Sequence, residues 1–145
     1  PHIGVLDCAA LELPTLEPRG AVIAELLVGE QPLRVVGMHL DLSGLWRRRQ
    51  MRAILDAIER RPQKMPTVLM GDTNEWRTEA GCLKDIEPDF HLAPTGASFH
   101  ARHPVAQLDR IIVHRDLCIE AAGVHMSVSA RQASDHLPVG ARVRA

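Results

Sequence analysis

Six side chains of this 145-residue chain have the chemistry to act together on a phosphorus–oxygen bond, and they stand in four places. His39 (with Asp41 close behind), Asp72 with Asn74, Asp109, and Asp135 with His136 each fall where an apolar run begins or ends. Carboxylates and a side-chain amide are hard oxygen ligands suited to Mg²⁺ or Mn²⁺. Two histidines can donate to a phosphoryl oxygen and stabilise the charge that builds in the transition state. One aspartate can hold a histidine ring in a single orientation. Another can orient or deprotonate an attacking water. That is the inventory of a metal-assisted phosphodiesterase or phosphatase. Plainer readings exist for most of the set. Asp72-Thr73-Asn74 also suits a polar turn, because Asp and Asn cap local backbone groups. Ser134-Asp135-His136 also suits a polar loop ahead of a strand, and a lone His39 has no special claim. Asp109 is harder to explain away. It sits in the run Leu108, Ile111, Ile112, Val113, where an unpaired carboxylate is costly. It needs a partner, and a histidine would serve.

The elements that must position these groups follow from pattern. Gly20 to Val28 and Leu33 to Leu40 read as strands around the turn Gly29-Glu30-Gln31-Pro32, which predicts an antiparallel hairpin. Ser43 offers an N-cap. Gly44 to Arg61 carries Met51, Ile54, Leu55 and Ile58 at helical spacing, one face of a helix that Pro62 ends. Thr67 to Met70, Leu108 to Val113, Ile119 to Met126 and Leu137 to Val143 read as further strands. Residues 1 to 19 read as mixed, broken by Pro14 and Pro18. Residues 73 to 97 read as a long irregular connection with a short helix near Glu79 to Lys84. The fold class is α+β: mostly antiparallel β-sheet layered with helices.

Three short motifs occur in order: G-D-x-N-x-W at 71 to 76, L-D-R-I at 108 to 111, and S-D-H-x-P-V at 134 to 139. With His39 about thirty residues ahead of the first, they resemble the endonuclease/exonuclease/phosphatase family, from about Ala21 to Val143. The resemblance implies a four-layer α/β/β/α sandwich and a Mg²⁺-dependent (or Mn²⁺-dependent) phosphoesterase. It implies that Asp72 activates the water and that Asn74 holds Asp72 and the phosphate. Asp109 would pair with His136, while His136 and His39 bind non-bridging oxygens and Asp135 meets the metal. Thr73 stands where the family often has a bulky aromatic, a change expected to alter loop packing. Trp76 is expected to be a packing residue. The family's early Asn and its Q-E pair have no counterpart before residue 21. The resemblance therefore implies the C-terminal portion of such a domain over residues 1–145. Its metal site would be incomplete, so the isolated chain would bind Mg²⁺ poorly and be inactive, and an uncovered sheet face would favour a homodimer.

Charge and composition narrow the partners. The net charge is -1, which argues against a general polyanion binder without excluding a local basic site. Tyr is absent and only 3% of residues are aromatic, too few for a stacking track along single-stranded nucleic acid. The phosphoester substrate is open among nucleic acid, a lipid headgroup and a small molecule. Cys8, Cys82 and Cys118 have no zinc or disulfide spacing. They read as buried inert thiols, compatible with a reducing, cytoplasmic compartment. No apolar run is long enough to span a bilayer. Arg47, Arg48, Arg49 and Arg52 read first as a solvated helix face and second as a phosphate guide. His100, Arg102 and His103 precede Asp109 in a loop that either meets substrate or is simply exposed. The rival to an enzyme is a non-catalytic remnant of the same fold serving as a binding or interaction module.

Overall fold

A computed structural model describes residues 2–77, 80–86 and 88–145. Its elements in chain order are β1 (Ile3–Glu12), β2 (Gly20–Val28), β3 (Gln31–His39), α1 (Gly44–Glu59), β4 (Thr67–Asp72), a 3-10 helix (Gly81–Ile86), β5 (Phe90–Leu92), β6 (Asp109–His114), β7 (Cys118–Val124), α2 (Val128–Ala133) and β8 (Val139–Arg144). β1 to β6 form one sheet in the order β1-β2-β3-β4-β6-β5, and β7 and β8 pair as a separate hairpin. The expected mixture of antiparallel sheet and helix is present, with one parallel pair, β3 and β4. Parallel neighbours need a crossover, and α1 is that crossover.

Alternation along β2 and β3 sets the core face. Ile23 lies opposite Val36 and Ala21 opposite Met38, and all four are buried. The third core-side pair is Glu25 and Arg34, joined by a buried ion pair of 2.8 Å. Met51 and Ile54 of α1 are fully buried against this face, with Leu55 and Ile58 packed beside them. On the opposite face, Val68, Ile111 and Val113 pack against Ile119, Val139, Ala141 and Val143 of the β7–β8 hairpin. The hairpin covers only part of that face. Val22, with Ile3 and Val5 of β1, remains exposed. Among the described residues no helix is long and apolar enough to cross a membrane.

Several expectations are corrected. Residues 3–12 are a ten-residue edge strand, paired along β2. The register slips between Val5 and Asp7 and most of the strand is exposed, so it carries no clean period-two signal. Pro14 and Pro18 fall in the β1–β2 connection. Ser43 occupies the N-cap of α1 but its side chain makes no capping bond; the Asp41 carboxylate instead accepts from the Ser43 N–H at 2.8 Å. The helix expected near Glu79 to Lys84 is a 3-10 helix over Gly81–Ile86, and Glu79 itself lies outside the described residues. Three-residue β5 and six-residue α2 were too short to stand out in the sequence. Cys82 is buried, but Cys8 and Cys118 are exposed on strands, so only one thiol is inert by burial.

One backbone constraint decides how β4 ends. Gly71 has φ +140°, and a Cβ there would lie 1.8 Å from the Met38 carbonyl oxygen of β3. No side chain fits that gap, and the dihedral itself belongs to glycine. Gly71→Ala must therefore separate β3 from β4 where the polar residues begin. The expected cost is about 3 kcal/mol or more, read from the midpoint of urea unfolding at unchanged slope.

Candidate active site

The strand registers carry three of the six candidates to one edge. His39 pairs with Asp72 across the parallel β3/β4 ladder. Asp72 pairs with Asp109 across the antiparallel β4/β6 ladder. Cross-strand partners share a face, so three strand ends present a row of histidine, aspartate and aspartate. The fourth member arrives from the other layer. Phe99 bridges to Ala106 and to His136, and the Leu137 N–H donates to the Ser98 carbonyl at 2.9 Å. These bonds set His136, just ahead of β8, over the row.

The contacts are specific. His136 Nδ1 lies 2.7 Å from Asp109 Oδ2. Ser98 Oγ donates to the same oxygen at 2.5 Å, so Asp109 has the partner its apolar setting demanded. The His136 Nε2 faces Asp72 Oδ2 at 3.8 Å, and the His39 Nε2 faces that oxygen at 3.5 Å. Asp72 Oδ1 accepts the Asn74 N–H at 2.8 Å. Asp72 thus has one oxygen fixed by its own loop and the other turned towards two imidazoles.

The matching family model, described as the endonuclease/exonuclease/phosphatase family, covers residues 5–136. The chain belongs to that family. The match runs over most of the chain and gives no support to reading it as one half of the domain. Uncharacterized protein YbhP of Escherichia coli is 25% identical over 136 residues, covering 88% of this chain and 53% of its own length. The chain thus spans about half the length of the curated relatives it matches. Among solved structures, a functionally unknown conserved protein from Enterococcus faecalis matches with a TM-score of 0.82 at 23% identity, over 98% of this chain and 67% of that one. A mannosyl-6-phosphatase from Bacteroides thetaiotaomicron matches at 0.80 and 16%, over 98% and 67%. The D. rerio TDP2 complex with a single-strand DNA product matches at 0.79 and 17%, over 99% and 69%. At these identities the structural likeness concerns the fold.

The remaining expected residues are placed less simply. The Asn74 side chain makes no hydrogen bond to Asp72. Its Nδ2 donates to the Leu40 carbonyl at 2.8 Å, and the residue holds φ +49°, a left-handed conformation that asparagine tolerates. Asn74 supports Asp72 through its backbone and ties the β4 loop to the end of β3. Thr73 is pinned to the Leu108 carbonyl by its N–H and its hydroxyl, each at 2.9 Å. Asp135 is exposed, with its carboxylate 3.4 Å from Ser134 Oγ. It is not in the one group of potential ligands that the described residues form, Asp72, Asp109 and His136, whose ligand atoms lie within 4.8 Å of one another. That set supplies two carboxylates and one imidazole, and Asp109 already accepts from His136 and Ser98. Mg²⁺ prefers six oxygen ligands in a near-ideal octahedron, so these residues alone do not complete a Mg²⁺ site.

The supporting layer was not visible in sequence. Glu75 is 4% exposed and pairs with Arg47 at 3.3 Å, while the buried Arg110 donates to its carbonyl at 3.3 Å. Burial first, then the Glu75 charge, pushes the nearby Cys82 thiol up to about 11. Arg47 is thus a structural pin for the loop that follows β4. Arg48 and Arg52 pair with Asp85, and Arg49 lies over the Trp46 ring, so the basic cluster is largely engaged. Arg19 was missed altogether. Its Nη1 sits 2.7 Å from His39 Nε2 and its Nη2 donates to Glu17 at 3.1 Å. A cavity of about 490 Å³, lined by Thr67, Phe90 and His114, lies at the other end of β4 and plays no part in this cluster.

Burial of His136 disfavours its charged form, but the Asp109 hydrogen bond and the charges of Asp109, Asp72 and Asp135 outweigh it, holding the imidazole above its ordinary 6.5. The stabilisation from protonated His136 is therefore complete below the ordinary value and is lost as pH rises through the raised one. Asp109→Asn removes the leading favourable contributions. The expected result is a downward shift in the His136 titration followed by NMR; an unmoved titration would mean that Asp109 does not set the charge of this ring.

Proposed function

We propose that the protein hydrolyses phosphoester bonds through a water activated at Asp72. The observation that carries this reading is the convergence of two imidazole Nε2 atoms on one oxygen of Asp72, with Asp109 gripping the back of one ring. Protonated His136 is a donor where a non-bridging phosphoryl oxygen would sit, and a preoriented donor there stabilises the transition state more than the ground state. Asp72 Oδ2 takes the proton as the water oxygen attacks phosphorus and the ester P–O bond breaks. Asp109 holds the His136 ring in one orientation and stabilises its charge through Nδ1.

His39 needs a rearrangement before it can do the same. Arg19 can only donate, so its contact with His39 Nε2 uses the lone pair of that nitrogen. When His39 donates to phosphate from Nε2, the Arg19 guanidinium is released and becomes a second donor to the same anion. A bound divalent cation would add charge neutralisation on the phosphate. Asp72 is the carboxylate here best placed to hold it, with Asp135 a candidate through water. No Gln-Glu pair occurs in the sequence, so on this reading the 145 residues alone bind Mg²⁺ weakly.

Hydrolysis of a generic phosphodiester with Mg²⁺ tests the assignment, in this chain and in any longer natural chain that carries it. Asp72→Ala is expected to lower kcat/KM by roughly 10²- to 10⁴-fold. Arg19→Ala is expected to lower it about tenfold, mostly through KM. Equal activity of the Asp72 variant would remove the catalytic reading and leave a binding module.

The exposed strip of Val22, Ile3 and Val5 supports a second, separate reading: self-association through the sheet face beyond the hairpin. Light scattering across a concentration series is expected to show a dimer that Val22→Asp dissolves. A monomer at every concentration would end this reading.

A further inference from the structure

Trp76 stands two residues beyond Asn74 and is 62% exposed, so it is not the packing residue the sequence suggested. An indole open to water leaves a large apolar area uncovered, at about 25 cal/mol per Å². The other aromatic carbocycles are already occupied: Phe90 is buried, and Trp46 lies under the Arg49 guanidinium. Trp76 also has an aromatic neighbour. It meets Phe99 edge to face, with centroids 6.3 Å apart and planes at 83°. Phe99 is itself held by its bridges to Ala106 and His136, and its ring lies 4.9 Å from the His136 ring. An unbroken line of rings therefore runs from the imidazole that faces Asp72 to an open indole.

We propose that Trp76, backed by Phe99, is a stacking platform for one planar ring attached to the reacting phosphate, and that the substrates are nucleotide esters. The inference rests on the reading that phosphate binds between Asp72 and His136. A single platform beside the phosphate engages one base and does not track a strand. That agrees with a chain holding only two Trp and two Phe and a net charge of -1. Sugar phosphates and lipid phosphoesters carry no planar ring to stack and gain nothing from Trp76.

The test compares adenosine monophosphate with ribose phosphate, which share the sugar phosphate and differ in the base. In the Trp46→Phe background, Trp76 is the sole tryptophan. Adenosine monophosphate is expected to quench its emission saturably, and ribose phosphate to leave it unchanged. By calorimetry, Trp76→Ala should weaken adenosine monophosphate about tenfold, the scale of one base stack. Ribose phosphate affinity should be unaffected, and Trp76→Phe should keep most of the nucleotide affinity. Equal wild-type affinity for the two ligands, an equal loss of both in Trp76→Ala, or no saturable quenching at millimolar adenosine monophosphate would each overturn the platform. None of these readouts needs turnover. Tight, base-dependent binding without hydrolysis would keep the platform and sink the phosphoesterase reading. Equal hydrolysis of a dinucleotide and its abasic analogue would do the reverse.

Discussion

The Met38 carbonyl oxygen occupies the space that any side chain at position 71 would need. With only a hydrogen at Gly71, β4 can lie against β3 to its last residue, and Asp72 comes level with His39. The same register continues into β6 and brings Asp109 level with Asp72. A slip of one residue in either ladder would send a carboxylate to the opposite face. The close approach at Gly71 therefore fixes both the spacing and the facing of the polar row. Behind it, Glu75 anchors the loop through Arg47 and Arg110. Breaking a buried ion pair by removing one partner costs several kcal/mol, about 3–5, so the loop has little freedom to leave.

His136 shows how two opposed effects are balanced at the site. Burial alone would favour a neutral ring, which would turn a lone pair towards Asp72 and towards any phosphate. The Asp109 carboxylate and the neighbouring acids reverse that preference. The ring is held by a rigid backbone: Phe99 is bonded on both sides, and Ser98 donates to Asp109 while accepting at its carbonyl from Leu137. One short segment thus positions the histidine, the aspartate that charges it and the aromatic rim.

How much of this could be read from the residues depended on whether a residue's role was local. Asp109 was legible because a carboxylate among Leu108, Ile111 and Ile112 demands a partner, and His136 is that partner. The β2–β3 hairpin and the face of α1 were legible because their periods are clean. β1 was not, since its bulge and its exposure erase alternation. Arg19 was illegible for another reason. Nothing in its neighbours announces a contact with a histidine twenty residues on, which exists only because β2 and β3 pair as they do. Asn74 is expected from its residue type to hold Asp72 with its side chain, but the contact runs through its backbone N–H, which leaves no trace in the residue type. Trp76 was misread because exposure is a property of the fold.

The row of His39, Asp72 and Asp109 is assembled from three strands whose lateral order is fixed while the connections between them are not. A helix joins the first two, and a stretch of more than thirty residues joins Asp72 to Asp109. Insertions and deletions in those connections leave the ladder register untouched. The parts of those connections that make no contact with the row are therefore free to vary in length, whereas Ser98 and Phe99, which hold Asp109 and His136, are not. Such a scaffold tolerates wide change in sequence: solved structures at 16 to 23% identity still superpose with TM-scores near 0.8.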